Sequence, residues 1–215
     1  MPNLLQTILN AMSPVEIAAS VAGLLCVWLV VRANIWNWFW GIVNVSLFAY
    51  IFWKSSLYSS MLLQLLYFLP MQFYGWWMWK KGGPSQDDDL PVSRLSPAAG
   101  VVSFLVASAF TMGWGLFMRS QGGAVPFGDA AATALSIVAQ YLQARKVVES
   151  WYFWIAVDLL YALYVLPSQK LWVATGLYVI FLGMATAGAI EWYRLWKKQQ
   201  QQGRIAVGPE PMAAA

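Results

Sequence analysis

Asp158 is read as the one acidic residue well inside an apolar span, about 11 Å from the basic end of its helix at roughly 1.5 Å per residue. No lysine or arginine lies at comparable depth. An ionised carboxylate there is costly unless it meets water, a hydrogen-bonding network or a cationic ligand, so it marks a site; a locally bonded structural acid is the bland alternative. Asn44 lies at nearly the same depth in an earlier span and can both donate and accept. Gln64, Gln72 and Gln140 are further polar groups within apolar stretches, with Ser136 one turn from Gln140 and Tyr67 three residues after Gln64. Bonding between helices is the structural alternative for each. Trp40 and Trp154 stand one turn from Asn44 and Asp158, so a ring and a polar group share a face twice. Aromatic faces beside a carboxylate suit a planar heterocycle, and a cationic ring would add about 0.5 to 2 kcal/mol of cation–π attraction.

Other chemistry is excluded by what is missing. The chain has no histidine and one cysteine, Cys26, which removes the commonest general base, the usual zinc ligands and any internal disulfide. No cofactor or metal is expected, and no serine–histidine or aspartate-pair arrangement is visible.

These polar residues need elements to carry them. Hydrophobic residues make up 60% of the 215 and charged ones 10%, too little polar surface to cover a water-soluble globule. Apolar runs long enough to cross a hydrocarbon core of roughly 30 Å recur along the chain. They are placed near 15–31, 36–53, 60–79, 98–118, 127–144, 151–166 and 171–193, continuously apolar rather than alternating as in a β-barrel. No removable signal peptide is read at the start. The net charge of +4 does not indicate nucleic acid, because the basic residues sit at the ends of apolar segments. Counted over alternate loops, ten fall on one side (Arg32, Lys80, Lys81, Arg94, Arg145, Lys146, Arg194, Lys197, Lys198, Arg204) and three on the other (Lys54, Arg119, Lys170). That bias predicts a cytoplasmic C-terminus and an external N-terminus. Trp76, Trp77, Trp79, Trp192 and Trp196 adjoin basic residues and read as interface anchors. The polar stretch 80–97 reads as a flexible linker and the tail from Lys197 as disordered.

Sliding the chain by 114 residues superposes the second and third spans on the sixth and seventh. Phe39 meets Phe153, Trp40 meets Trp154, Asn44 meets Asp158 and Gln64 meets Tyr178. The expected fold is an all-α membrane protein with seven transmembrane helices, two parallel three-helix repeats joined by a linker helix. The N-terminal bundle covers 1–79, the loop and linker helix 80–126, the C-terminal bundle 127–196 and the tail 197–215. Parallel repeats of this kind place a substrate at their interface near mid-membrane.

Three stretches, RANIWNWFWGIVNV from Arg32, LQLLYFLPMQFYGWWMW from Leu63 and ALSIVAQYLQARKVVESWYFWIAVD from Ala134, resemble the PnuC family of nicotinamide riboside transporters. The resemblance runs from about Val15 to Lys198. It implies a fold similar to that of SWEET sugar transporters and facilitated diffusion of the riboside across the bacterial inner membrane, with a cytoplasmic kinase trapping it as the phosphorylated nucleotide. It also implies substrate contacts at Trp40, Asn44, Gln64, Tyr67, Gln140, Trp154 and Asp158, with Gln72 and Tyr178 in the same shell, and is compatible with a homotrimer. A proton-coupled carrier of another B vitamin or small polar metabolite, using Asp158, is the competing expectation.

Overall fold

The computed structural model describes residues 13–54, 58–83, 89–122, 125–168 and 172–207. These form helical rods, each following an apolar run of the sequence: α1 (Pro14–Val31), α2 (Asn37–Lys54), α3 (Tyr58–Lys81), α4 (Pro97–Ser120), α5 (Pro126–Ala144), α6 (Ser150–Ser168) and α7 (Trp172–Val207). Local signals set their starts. Ser13 and Glu16 form a reciprocal capping box before α1, Ser96 caps α4, and proline opens α1, α4 and α5, where a missing N–H costs nothing. Pro14–Val31, Pro97–Ser120, Ser150–Ser168 and Thr175–Gln202 are long and apolar enough to cross a membrane by length and composition. The protein is an all-helical, multi-pass membrane protein; among the described residues the β structure is an isolated bridge between Ser93 and Val147.

Two rods contain a π turn, Gln64–Phe68 in α3 and Tyr161–Val165 in α6. Each is followed by Leu-Pro, at Pro70 and Pro167. A proline ring clashes with the carbonyl four residues back, here Leu66 or Leu163, and supplies no N–H of its own. Widening the preceding turn relieves both problems: Leu69 and Leu166 bond back to Gln64 and Tyr161 instead.

The core gathers near the end of the bundle that carries most basic loops. Trp38, Trp79, Trp151 and Trp192 are buried there with Val30, Val92 and Val148. Their indoles meet edge to face or tilted, Trp38 to Trp79 at 5.3 Å, Trp79 to Trp192 at 5.7 Å and Trp151 to Trp192 at 5.4 Å. Pairs of this kind are worth about 0.5–1.5 kcal/mol each beyond contact area. Trp192 donates to the Val30 carbonyl and Trp79 to that of Gln143. Trp79 and Trp192 are therefore core residues rather than the interface anchors expected; Trp77 remains exposed.

The same cluster corrects the repeat. Trp38 and Trp151 pack over Gly75 and Gly188, whose missing side chains leave room for the rings; Trp79 and Trp192 follow one turn on. All three pairs lie 113 residues apart, not 114. The loops agree. Ala33 and Lys146 both adopt left-handed φ (50° and 55°), Ala33 N–H bonding to Val30 O and Lys146 N–H to Gln143 O, so α1 and α5 end in equivalent caps. A one-residue slip turns every side chain by about 100° on a helix, so Asn44 is equivalent to Val157, and Asp158 to Val45.

The described part of the presumed linker is docked. Leu90 N–H bonds to Trp79 O, Lys146 Nζ donates to Leu90 O, and Ser93 exchanges backbone bonds with Lys146 and Val148. Arg94 pairs with Glu149, which also accepts from Leu95 N–H. This pairing holds the Arg94 guanidinium above its ordinary pKa, while burial pulls that of Lys146 down. Val92 N–H donates to Gln199, because α7 continues through Val207 where the sequence reading put an unfolded tail. Leu90–Ser96 is thus a strap whose polar backbone is satisfied by both main-chain and side-chain partners.

Gly75→Val forces a branched side chain into the space of the Trp38 ring and is expected to cost about 1–3 kcal/mol, seen as a lowered thermal midpoint in detergent. Gly113→Ala, at a position with open space around it, leaves the midpoint unchanged or raised.

Candidate functional site

Between the rods lies a cavity of about 540 Å³. Among the described residues, its lining comes from α1, α2, α3, α5, α6 and α7, and α4 contributes none. Small residues let the rods approach. Ala19, Ala22 and Gly23 do this on α1, and Ala185, Gly188 and Ala189 on α7. On α5 the lining residues Asp129, Thr133, Ser136, Gln140 and Gln143 recur every three or four positions, a polar stripe down one face of an otherwise alanine-rich helix.

Eight of the ten residues singled out from sequence face this cavity: Asn44, Gln64, Gln72, Ser136, Gln140, Trp154, Asp158 and Tyr178. Trp40 and Tyr67 are not among its lining residues. Trp40 packs against Phe39, and the Tyr67 hydroxyl donates to the Ile137 carbonyl at 2.6 Å, tying α3 to α5. The expected pair of matching tryptophans is therefore a single ring, Trp154, because its equivalent position across the repeat is Gly41 and not Trp40.

Several polar groups are oriented before any ligand arrives. Asn44 Nδ2 donates to the Ala19 carbonyl at 2.8 Å, where Gly23 leaves the space its amide needs, so Oδ1 remains as an acceptor. Trp154 Nε1 donates to Gln143 Oε1 at 2.8 Å, fixing the indole. Gln72 is buried against Gly41, where any larger residue would collide with its amide. Gln140 is 4% exposed, and its Nε2 has no partner among the described residues. Asp158 is 5% exposed and makes no hydrogen bond among them. Such groups are costly to leave unmet, and the set offers donors, acceptors and carboxylates beside the fixed Trp154 face.

Sequence reasoning missed Asp129, Thr133, Tyr161 and Gln143. Asp158 is joined in the cavity lining by a second acid, Asp129, which lies in the first turn of α5. The signal was present in the three-and-four spacing from Asp129 through Gln143, of which Ser136 and Gln140 are the middle. Tyr161 carried no such mark. It reaches the cavity from the start of a π turn, next to Tyr178 at 4.6 Å between ring centroids.

The cavity is amphipathic across the repeat. On the α5 side Ser136, Gln140, Gln143 and Asp158 stand where the other half has Gly23, Val27, Val30 and Val45; on α3, Gln64 and Gln72 stand where α7 has Leu177 and Ala185. The α3–α5 seam is mostly polar, and the α7–α1 seam mostly apolar, with Ser20 and Tyr178 its polar members.

Residues 13–194 match a family described as nicotinamide mononucleotide transporter. The nicotinamide riboside transporter PnuC of Neisseria mucosa is 30% identical over 203 residues, 86% of this chain and 73% of that protein. The Escherichia coli protein of the same name is 28% identical, with 84% and 85% covered. The riboflavin/roseoflavin transporter RibM of Streptomyces davaonensis is 26% identical over 66% of the chain and 67% of its own length. A crystal structure of the vitamin B3 transporter PnuC superposes with a TM-score of 0.71 at 29% identity, covering 89% of this chain and 85% of that one.

A double-mutant cycle between Gln143→Ala and Trp154→Phe, read by thermal unfolding, is expected to give a coupling of about 0.5–1.5 kcal/mol, the worth of one hydrogen bond. Additive effects would mean that Gln143 does not hold the ring.

Proposed function

Because the chain belongs to the nicotinamide mononucleotide transporter family, the PnuC transporters, we propose that this membrane transporter carries nicotinamide riboside into the cell across the bacterial inner membrane. All seven rods span the bilayer as two parallel three-helix bundles joined by α4, with the N-terminus outside and the C-terminus in the cytoplasm. The observation that carries this reading is the cavity between six rods, lined by amides, a hydroxyl, an aromatic face and carboxylates. A riboside presents a carboxamide and sugar hydroxyls, which suit Gln64, Gln72, Gln140, Ser136 and Asn44, and a planar ring that suits Trp154 with cation–π attraction. No lysine or arginine lines the cavity among the described residues, so the riboside fits better than its phosphate ester, whose charge would find no partner.

Transport follows from exposing this site alternately to the two sides of the membrane as the bundles rock against each other. The riboside moves down its gradient and is retained by phosphorylation inside.

Calorimetry on the purified chain is expected to detect nicotinamide riboside in preference to riboflavin, thiamine and nicotinamide mononucleotide, with Trp154→Ala or Gln64→Ala weakening affinity by about tenfold or more. Preference for another vitamin would overturn the substrate. Cys26, the sole cysteine and a lining residue, gives a second readout: saturating riboside should slow its alkylation several-fold. Uptake into liposomes should ignore an imposed pH gradient, and a response lost in Asp158→Asn would favour proton coupling.

A further inference from the structure

We infer that Asp129 and Asp158 make the cavity selective for positive charge, with Asp129 a specificity-determining residue at the end of the cavity away from the tryptophan cluster. The substrate this describes rests on the riboside reading; the charge preference does not.

The argument begins with position. Along α5, Asp129 and Gln143 are separated by about 21 Å of helix at 1.5 Å per residue. Gln143 accepts the Trp79 bond at the clustered end, so Asp129 stands at the other. Asp129 and Tyr161 both line the cavity, and the Tyr161 ring meets that of Tyr178. Asp158 stands three residues before Tyr161 on α6 and lines the same cavity as Tyr178. The two acids thus share a cavity wall with a pair of phenol rings.

Charge is unbalanced there. The cavity lining holds two carboxylates and no basic side chain among the described residues. Asp158, 5% exposed and without a hydrogen bond among those residues, is aimed into the same space as the unpartnered Gln140 amide. A buried carboxylate without a cationic partner is costly while ionised, and a cationic ligand relieves that cost through an attraction that the low dielectric strengthens. Tyrosine faces add to it.

The repeat shows that this charge is not a requirement of the fold. Val45 occupies the place of Asp158 in the first half and lines the cavity without a charge. Glu16 occupies the place of Asp129, but its carboxylate is used in the capping box of α1 and it is not a lining residue. Acidity is therefore confined to one half, which also gives the cavity a direction for a ligand with one cationic end.

The test compares two ligands of nearly one shape: nicotinamide riboside, a cation, and its 1,4-dihydro form, which keeps the carboxamide and ribose but is neutral. The full-length chain is expected to bind the cation about tenfold or more tightly. Asp129→Asn and Asp158→Asn should each lower that ratio several-fold, leaving the neutral form bound within about twofold and showing that the variants are folded. Glu16→Gln should leave the ratio as it is. A second arm needs no riboside. The rate of Cys26 modification by a cationic methanethiosulfonate, relative to an anionic one, should fall several-fold in the same two aspartate variants. If neither riboside binds, the substrate reading fails while this arm still decides the charge preference. An unchanged reagent ratio in both variants, or an unchanged ligand ratio where the ribosides bind, overturns the inference.

Discussion

Four indoles from α2, α3, α6 and α7 in mutual contact are the constraint on which the rest of the structure depends. Inside a bilayer, apolar burial does not favour helix association, because lipid is as apolar as the side chains. What remains is close packing and hydrogen bonding, and the tryptophan cluster supplies both. Trp38 and Trp151 use the spaces above Gly75 and Gly188, while Trp79 and Trp192 send their N–H groups to main-chain carbonyls of α5 and α1. Each bond therefore crosses from one half of the chain to the other. The strap reinforces this end from outside, with Val92 in the cluster and its N–H held by Gln199.

Closing one end so firmly leaves a cavity above it whose walls can differ. Equivalent positions in the two halves carry unlike residues: serine, glutamines and aspartate against glycine and valines on one seam, and glutamines against leucine and alanine on the other. Backbone duplication gives a nearly symmetric frame, and side-chain divergence makes the interior directional. A nucleoside is itself polar at its sugar and carboxamide and flat over its ring, so an amphipathic enclosure suits it better than a symmetric one.

The two π turns also belong to this frame. Gln64 and Tyr161 each open one, and both line the cavity. A proline that would clash in a regular helix has been accommodated by a wider turn, which re-aims the residue at its start. The polar side chains of the site are thus placed partly by a defect in helical geometry.

How much of this was legible in the residues depends on what each signal measures. Length and continuity of the apolar runs determined that the chain is helical and membrane-embedded, because a bilayer admits few other ways to satisfy the backbone. Lone polar residues within those runs marked eight of the residues that line the cavity, since burying them without purpose is costly. Register was not legible. Aromatic-rich segments align almost equally well at 114 and 113, and the packing of Trp38 on Gly75 and Trp151 on Gly188, with the matching caps at Ala33 and Lys146, selects one. That single step moved the partner of Trp154 from a tryptophan to a glycine and removed Trp40 from the cavity lining. Likewise, glycine, proline and aspartate in 80–97 and the glutamines after Lys197 signal exposure, but the pairing of Val92 with Gln199 joins residues 107 apart. Composition reports what a segment prefers by itself; the three-dimensional arrangement decides which backbone groups and side chains meet.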